Sequence, residues 1–245
     1  MVKLFSAGAT HVGLVRTNNE DAYLAMPEAG LFALSDGMGG AAAGEVASKY
    51  FVETVEQIFT DDVSASEEAN VALVRKVFKS SNKRIIEHTV KHPDDEGMGC
   101  TGELLVVHEK SYVIGHVGDS RVYLVRDEHL RQLTRDQSLV QGLVDEGILT
   151  PEEARHHPRK NIILQALGTD PSVTPDVIKG EAFNHDIFLL CSVGLTDMVD
   201  DCAIRDTLVS KKSLDDKAES LIEAALAAGG KDNVTVVLCE VEIKD

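Results

Sequence analysis

The chain has 245 residues, 43% of them hydrophobic, and a formal net charge of −17. This length supports one large domain with a full core, and so acidic a chain argues against nucleic acid or an anionic membrane as a partner. No apolar run approaches the ~18 residues of a membrane span and the N-terminus shows no signal-peptide pattern, so we expect a cytoplasmic protein. The cysteines have no C-x-x-C spacing and are predicted to be reduced core residues: Cys100, Cys191, Cys202 and Cys239.

The N-terminal segment from Lys3 to Leu14 mixes alternating polarity with glycine and predicts a pair of strands. A polar run follows, from Arg16 to Asp21. Glu20 and Asp21 are adjacent, so in an extended chain their side chains point to opposite faces and one of them can enter a site. The Arg16 guanidinium could hold a carboxylate or a phosphate. A solvated polar loop is the alternative that this run alone leaves open.

The stretch Leu31-Phe-Ala-Leu-Ser-Asp-Gly-Met-Gly-Gly40 predicts a buried strand that stops at Asp36 and enters a glycine-rich turn. A carboxylate at the end of a buried strand costs free energy unless it is paired or bound to a metal. Gly37 lets backbone carbonyls come close to the same ion, and magnesium and manganese prefer such oxygen ligands. For Asp-Gly alone, an ordinary tight turn is the alternative.

Two amphipathic helices are predicted next, from Ala41 to Phe59 and from Ser66 to Val90, as an antiparallel pair on one sheet. The strand from Tyr112 to Val117 then ends in Gly and Asp119, which repeats the arrangement around Asp36. Strand runs joined by hairpin turns, without regular alternation of strand and helix, predict antiparallel sheets rather than a doubly wound fold.

The polar segment from Asp136 to Glu153 is helical in pattern and restarts at Thr150-Pro151-Glu152, a good helix start. The insertion of about residues 136–165 between strands is predicted to form a flap over a site. Its adjacent His156 and His157 are interpreted as part of an exposed loop rather than as metal ligands.

The C-terminal third contains two more strands and two helices, predicted over Ile187–Val193, Asp200–Ser210, Ser213–Ala228 and Val234–Leu238. Asp232 and Asn233 lie directly before the last strand. Asp36, Asp119 and Asp232 are therefore all predicted at strand ends, a recurrence that a single Asp-Gly turn does not explain.

Short motifs follow one another in order along nearly the whole chain: Arg16-x-x-x-Glu20-Asp21, Asp36-Gly-Met-Gly-Gly40, Met98-Gly-Cys-Thr101, Val117-Gly-Asp-Ser-Arg121, Leu133-Thr-Arg-Asp136, Cys191-Ser-Val-Gly-Leu-Thr-Asp197 and Asp232-Asn233. This ordered set resembles the metal-dependent serine/threonine protein phosphatases of type 2C, particularly the compact bacterial members. The resemblance implies an α+β fold, a four-layer α-β-β-α sandwich of two antiparallel sheets flanked by helix pairs. It also implies a single catalytic domain over residues 1–245.

The resemblance further implies a centre of two Mn²⁺ or Mg²⁺ ions bridged by Asp36. Glu20 and the carbonyl of Gly37 would serve one ion and Asp232 the other, while Asp119 would serve a third, weaker metal site.

Arg16 would hold the substrate phosphate in this scheme. The implied reaction is hydrolysis of phosphoserine and phosphothreonine monoesters by a metal-activated water, without a covalent intermediate. The implied partners are phosphorylated proteins, the substrates of a serine/threonine kinase, and the implied state is a monomer.

The family pattern breaks at Val193, where the family has an aspartate that ligates one of the two main metals and helps the third. Valine has no donor atom, so we expect weakened metal binding at the Asp232 site and strongly reduced turnover. A pseudophosphatase that binds phosphoproteins or regulates them is the alternative. An acidic Mg²⁺- or Ca²⁺-binding structural domain is a further alternative, but it would not explain Arg16 or the order of the motifs.

A second departure concerns acid catalysis, because Met38 and Ala41 stand where many family members have histidine. His116 lies within a predicted strand and is expected to be a core residue rather than a general acid.

Overall fold

The computed structural model describes residues 2–39, 43–61 and 66–244. The strands are β1 (Val2–His11), β2 (Asp21–Met26), β3 (Leu31–Met38), β4 (Gly99–Cys100), β5 (Gly102–His108), β6 (Ser111–Val117), β7 (Arg121–Arg126), β8 (His129–Gln132), β9 (Asp176–Glu181), β10 (Ile187–Cys191) and β11 (Val234–Ile243). The helices are α1 (Gly44–Asp61), α2 (Glu67–Lys91), α3 (Leu139–Asp145), α4 (Pro151–Arg155), α5 (Val193–Thr196), α6 (Asp201–Val209) and α7 (Leu214–Ala227).

The strands form two sheets, and the pairings between these strands are antiparallel. The first sheet has the order β1-β11-β10-β7-β8. The second has the order β2-β3-β5-β6-β9, and the short β4 pairs with β3. The predicted antiparallel architecture is therefore confirmed.

Three apolar clusters separate the layers of the fold. Helices α1 and α2 cover the second sheet, where the rings of Phe51 and Phe78 meet edge to face with centroids 5.2 Å apart. Helices α6 and α7 cover the first sheet through residues such as Leu221. The sheets face each other around Tyr112 and Phe188, and each such buried side chain stabilises the fold by ~1.5–3 kcal/mol. This arrangement confirms the predicted α-β-β-α sandwich.

Polar residues at the predicted positions start the helices. The Ser66 hydroxyl accepts a hydrogen bond from the backbone N–H of Ala69 at the start of α2. At α4, Thr150 and Glu153 form a reciprocal capping box, as the sequence around Pro151 indicated. The predicted start of the first helix at Ala41 lies outside the described residues.

The prediction of a strand pair at the N-terminus is wrong, because β1 runs without a turn alongside β11. Gly8 lies within this strand at a point where the ring of Tyr23 packs against the backbone and leaves no space for a Cβ. The glycine thus marks a close approach of a neighbouring side chain and not a turn.

Two predicted strand ends also differ from the structure. Strand β3 continues past Asp36 to Met38, because the two residues after Asp36 pair with β4. The apolar strand predicted to reach Val193 ends at Cys191 instead, and Val193 is the first residue of α5. Strand β9 was not predicted, since Asp176–Glu181 is partly exposed and lacks an apolar run.

Between β8 and β9 the chain carries α3 and α4, within the insertion predicted as a flap. His156 lies in the loop after α4 and is exposed, and His157 is half-buried beside it. Of the cysteines, Cys202 is exposed, contrary to the prediction that all are core residues, and the other three are buried. In the described parts of the chain, none of the helices has the length and apolar character needed to span a membrane.

Candidate active site

Acidic residues from both sheets converge at one end of the sandwich. Asp21 begins β2, Asp36 lies near the end of β3, Asp119 follows β6, and Asp232 precedes β11. Because these strands are antiparallel, their alternate ends meet at the same edge, which brings together residues that are far apart in sequence.

Thr101 fixes the backbone of Asp36. The Thr101 hydroxyl oxygen accepts the backbone N–H of Asp36 at 2.9 Å and lies 2.8 Å from the hydroxyl oxygen of Ser120. The backbone N–H of Thr101 in turn donates to the carbonyl of Asp36 at 2.9 Å, and the Ser35 hydroxyl donates to the carbonyl of Thr101 at 2.6 Å. The backbone that carries the Asp36 carboxyl is therefore held at both of its polar groups.

Several negative charges act on Asp36. Burial raises the pKa of its carboxyl well above the ordinary value, and the neighbouring carboxylates of Asp21, Asp119 and Asp232 raise it further. A backbone hydrogen bond from Val193 acts in the opposite direction. Burying like charges together is unfavourable unless protons or a cation neutralise them.

Asp21 lies beside Asp36 and is held by hydroxyl groups. Its Oδ2 accepts hydrogen bonds from Ser192 at 2.9 Å and from Thr235 at 2.6 Å. Its Oδ1 is buried and has no hydrogen-bond partner among the described residues. Burial raises the pKa of Asp21 to about 6, although the two hydroxyl donors lower it.

Asp119 is 6% exposed, and its Oδ1 likewise has no hydrogen-bond partner in the described part of the chain. Burial, followed by the charge of Asp136, raises the pKa of Asp119 to about 7. Asp119, Val193 and Asp197 line a cavity of about 210 Å³ together with residues of α3 and α4.

The Glu20 backbone is anchored to the far end of the chain. Its N–H donates to Oδ1 of Asn233 at 2.9 Å, and its carbonyl accepts the Gly37 N–H at 3.1 Å. A Cβ on Gly37 would overlap the carbonyl oxygens of Glu20 and Gly44, so only glycine fits there. Burial, followed by the charge of Glu45, raises the pKa of the Glu20 side chain.

Arg16 and Asp232 are in direct contact, with Nη2 of Arg16 2.9 Å from Oδ2 of Asp232. The two side chains are 54% and 37% exposed, so solvent screens this ion pair. Arg16, Glu20 and Asn233 line a cavity of about 250 Å³. The guanidinium thus holds a carboxylate in this structure, one of the two roles that the sequence left open.

Val193 lies at the start of α5 and contributes an apolar wall to the cavity beside Asp119. The hydroxyl of the preceding Ser192 makes no capping bond to α5. Its oxygen accepts the backbone N–H of Thr235 at 3.0 Å instead, and its proton is donated to Asp21. The loop after α4 is tied to the other end of α5 by an ion pair of 2.6 Å between Lys160 and Asp197.

The donor chemistry at this end of the sandwich fits a divalent cation. The buried carboxylate oxygens of Asp21 and Asp119 without partners are hard donors, the type that Mn²⁺ and Mg²⁺ bind. Among the described residues, no three His, Cys, Asp or Glu side chains are gathered closely enough to form a metal-binding group. The predicted ligands are therefore brought to one region, but the conformation described does not bring them into a coordination shell.

Sequence reasoning missed a buried pair between β5 and β6. Nδ1 of His116 lies 2.6 Å from Oε1 of Glu103, its Nε2 lies 2.9 Å from the carbonyl oxygen of Arg135, and both side chains are fully buried. Burial lowers the pKa of His116, but Glu103 and the Arg135 carbonyl outweigh it and raise the value to about 9. Burial raises the pKa of Glu103 to about 7, although His116 opposes this. The expectation that His116 belongs to the core is confirmed.

The protein phosphatase 2C family model matches residues 8–231. This chain belongs to the protein phosphatase 2C family. The serine/threonine protein phosphatase PstP of Mycobacterium tuberculosis is 43% identical over 232 residues, which cover 94% of this chain and 43% of PstP. The serine/threonine phosphatase stp of Listeria welshimeri is 39% identical over 236 residues, which cover 94% of this chain and 93% of that protein.

Solved structures of 2C phosphatases have the same fold. The M. tuberculosis phosphatase PstP/Ppp superposes with a TM-score of 0.92 at 41% identity, covering 98% of this chain and 100% of that chain. The catalytic domain of PstP in complex with two manganese ions gives a TM-score of 0.91 at 40% identity, covering 99% of this chain and 100% of that chain. Our chain spans less than half of the length of full-length PstP.

Proposed function

We propose that this chain is a serine/threonine protein phosphatase domain that hydrolyses phosphate monoesters on phosphorylated proteins. The observation that supports it most directly is the position of Asp36, which lies opposite Asp21 across the β2–β3 pairing and whose pKa is raised by the charges of Asp21, Asp119 and Asp232. Such a group of carboxylates is suited to hold divalent cations. Membership of the 2C family and relatives named as serine/threonine phosphatases give the reaction class.

The metal ligands in this proposal are those of the sequence prediction: Glu20, Asp36, the carbonyl of Gly37, Asp119 and Asp232. The PstP structure with two manganese ions supports a divalent cation such as Mn²⁺ as the cofactor, and Mg²⁺ is the other ion that the sequence predicts. Cations held by these residues would supply charge neutralisation and would lower the pKa of a bound water.

The protein's own groups would position the reaction. Arg16 binds the substrate phosphate after leaving Asp232, since its exposed ion pair is weak and its forked guanidinium matches phosphate oxygens. Thr101 and Asn233 hold the backbones of Asp36 and Glu20 in place. The insertion of about residues 136–165 acts as a flap, consistent with the cavity that α3 and α4 line beside Asp119.

Val193 is proposed to reduce this activity. Its side chain offers no donor beside Asp119, and its backbone hydrogen bond to Asp36 cannot replace a carboxylate ligand. The apolar side chain at this position also favours the alternative function, a pseudophosphatase that binds phosphoproteins through Arg16 and regulates them without turnover.

The experiment is hydrolysis of a phosphothreonine peptide across a Mn²⁺ titration by the chain itself, by Val193→Asp and by Val193→Ala. Turnover that is high only in Val193→Asp supports a phosphatase that lacks one ligand. Equal activity of all three would show that residue 193 does not limit catalysis. Peptide binding by all three without turnover would favour the pseudophosphatase.

Four further predictions from the sequence belong to this proposal. They are the single domain over residues 1–245, the monomeric state, the cytoplasmic location, and partner phosphoproteins that are substrates of a serine/threonine kinase.

A further inference from the structure

A groove on the surface of α2 does not include any residue of the candidate active site. It lies between α2 and the segment 171–175 and has a volume of about 500 Å³. We call it the α2 groove and define it by six of its lining residues, Arg75, Lys79, Lys83, Ile86, Val173 and Pro175. The carboxylate of Glu87 also lines it.

The α2 groove combines an apolar floor with a basic rim. Ile86 and Val173 are half-buried and Pro175 is buried, whereas the three cationic side chains are exposed. The cations recur every four residues along α2, so they share one face of the helix.

The rim charges are available to a partner. Arg75 and Lys79 form no ion pair with the other described residues. Lys83 lies 3.6 Å from Glu87, but both side chains are more than half exposed, and such pairs contribute little.

The loop that forms the other wall is fixed by a buried amide. The Asn82 side chain, 3% exposed, donates to the carbonyl of Asp170 at 2.9 Å and accepts the N–H of Gly168 at 2.7 Å. Leu167 is further bound to Cys100 by two backbone hydrogen bonds of 2.9 and 3.0 Å. These bonds hold the chain directly before the segment 171–175, so the start of this wall is ordered before a partner binds and less ordering entropy is lost on binding.

We propose that the α2 groove is a docking site for an acidic peptide segment of a protein partner, one that carries Leu or Ile side chains among its carboxylates. The carboxylates would pair with Arg75, Lys79 and Lys83, and the apolar side chains would lie against Ile86 and Val173. Charge complementarity supports this occupant, because three cations on one helix face stand out in a chain with a net charge of −17. Nucleic acid would meet the same rim but would leave the apolar floor of Ile86 and Val173 unused, which favours a peptide with apolar side chains. This inference does not rest on the proposed phosphatase activity.

The test is the fluorescence anisotropy of a short labelled peptide that alternates Glu with Leu and carries no phosphate. We expect Lys79→Glu to weaken binding roughly tenfold, and Val173→Asp to weaken it comparably. The control is Lys211→Glu, which makes the same charge change at an exposed position outside the α2 groove and should change binding less than about twofold. Val173→Ala replaces Val173→Asp if thermal unfolding shows that the latter is misfolded.

If Lys79→Glu and Lys211→Glu weaken peptide binding equally, the effect comes from the overall charge of the protein and the proposal is overturned. Tighter binding of a labelled oligonucleotide than of the peptide would also overturn it. Self-association of the chain that Lys79→Glu abolishes would assign the α2 groove to a second copy instead. Because the readout is binding of an unphosphorylated peptide, a failure here is separate from a failure of phosphatase activity.

Discussion

Asp21 lies directly opposite Asp36 in the antiparallel pairing of β2 with β3, so that two half-buried acidic residues occupy one cross-strand position. Like charges at such positions destabilise a sheet. The hydroxyls of Ser192 and Thr235 offset part of this repulsion by donating to Asp21. The fold is therefore under electrostatic strain at this edge in the absence of protons or cations.

We predict that metal-free protein loses stability as pH rises from about 4 to about 7. The pKa values of Asp21 and Asp119 are raised from 3.8 to about 6 and about 7, so the folded state keeps protons that the unfolded chain has lost. Stability must therefore fall as pH passes through this window. Urea unfolding in EDTA at a series of pH values measures it. Asp119→Asn should reduce the dependence of stability on pH, whereas the surface variant Asp206→Asn should not. The same dependence on pH in both variants would show that Asp119 does not cause the loss of stability.

A second loss of stability is predicted on the alkaline side. The pKa of His116 is raised from 6.5 to about 9. The stabilisation that the protonated His116 gains from Glu103 is therefore complete below pH 6.5 and is lost as pH rises through about 9. Other negative charges also affect this pair. Asp136 and Asp119 raise the pKa of Glu103, and Asp176 raises the pKa of His116.

Glu103→Gln should abolish this alkaline loss, because the neutral amide no longer favours a charged imidazole. Its stability at pH 7 should fall by ~1–3 kcal/mol, the penalty for weakening a buried hydrogen bond. Titration of the His116 ring by NMR, together with unfolding curves between pH 6 and pH 10, measures both effects. An unchanged His116 pKa in Glu103→Gln would show that Glu103 is not the cause.

Thr101→Ala should destabilise the protein by ~1–3 kcal/mol, because the backbone N–H of Asp36 would be left buried without an acceptor. Thr101→Ser keeps the hydroxyl and should stay within about 1 kcal/mol of the parent. Urea unfolding of the three proteins compares them. If the serine variant loses as much as the alanine variant, packing of the Thr101 methyl group is what matters.

Arg16→Ala should leave stability within about 1 kcal/mol of the parent, since its pair with Asp232 is exposed. Its KM for a phosphothreonine peptide should rise roughly tenfold or more, because a charge-assisted contact to phosphate is lost. The kinetics are best measured in the Val193→Asp background. Arg16→Lys keeps the charge but loses the forked guanidinium, so its KM should lie between those of the parent and Arg16→Ala. A KM that Arg16→Ala leaves unchanged would show that Arg16 does not bind the substrate phosphate.

Val193→Asp should lower the stability of the metal-free protein by ~1–3 kcal/mol, since it adds a carboxylate beside Asp36 and Asp119. Mn²⁺ should reverse the loss. Thermal unfolding with EDTA and with Mn²⁺ compares the two chains. A metal-free aspartate form as stable as the parent, or more stable, would reject the idea that Val193 relieves repulsion.

The ordered motifs, such as the one around Asp36, identified the family, and the fold that this resemblance implied is confirmed. The metal-binding roles of the acidic residues stay predictions. Sequence reasoning did not predict what holds these residues. Thr235 was missed although it is a polar residue within an apolar strand, since its partner Asp21 is 214 residues away. Glu103 was missed for a similar reason, because only the register of β5 against β6 places it opposite His116.

Two errors in the predicted strands, one near Gly8 and one at Val193, have identifiable physical causes. A glycine in a sequence can mark a turn or a place where a neighbouring side chain packs against the backbone, because both need a residue without a Cβ. At Gly8 the ring of Tyr23 packs against the backbone, and the strand does not turn. The position of Val193 in a helix depends on the turn made after Cys191, which an apolar run does not indicate.

The backbone of α5 is held by contacts that do not involve the side chain at position 193. The carbonyl of Val193 accepts the N–H of Asp197 at 2.9 Å, and Gly194 packs directly against the carbonyl of Asn233. A change of side chain at this position therefore leaves the local scaffold intact. The valine codons GUU and GUC each differ from an aspartate codon at one base, so from either of them one point mutation exchanges valine for a carboxylate on an unchanged scaffold.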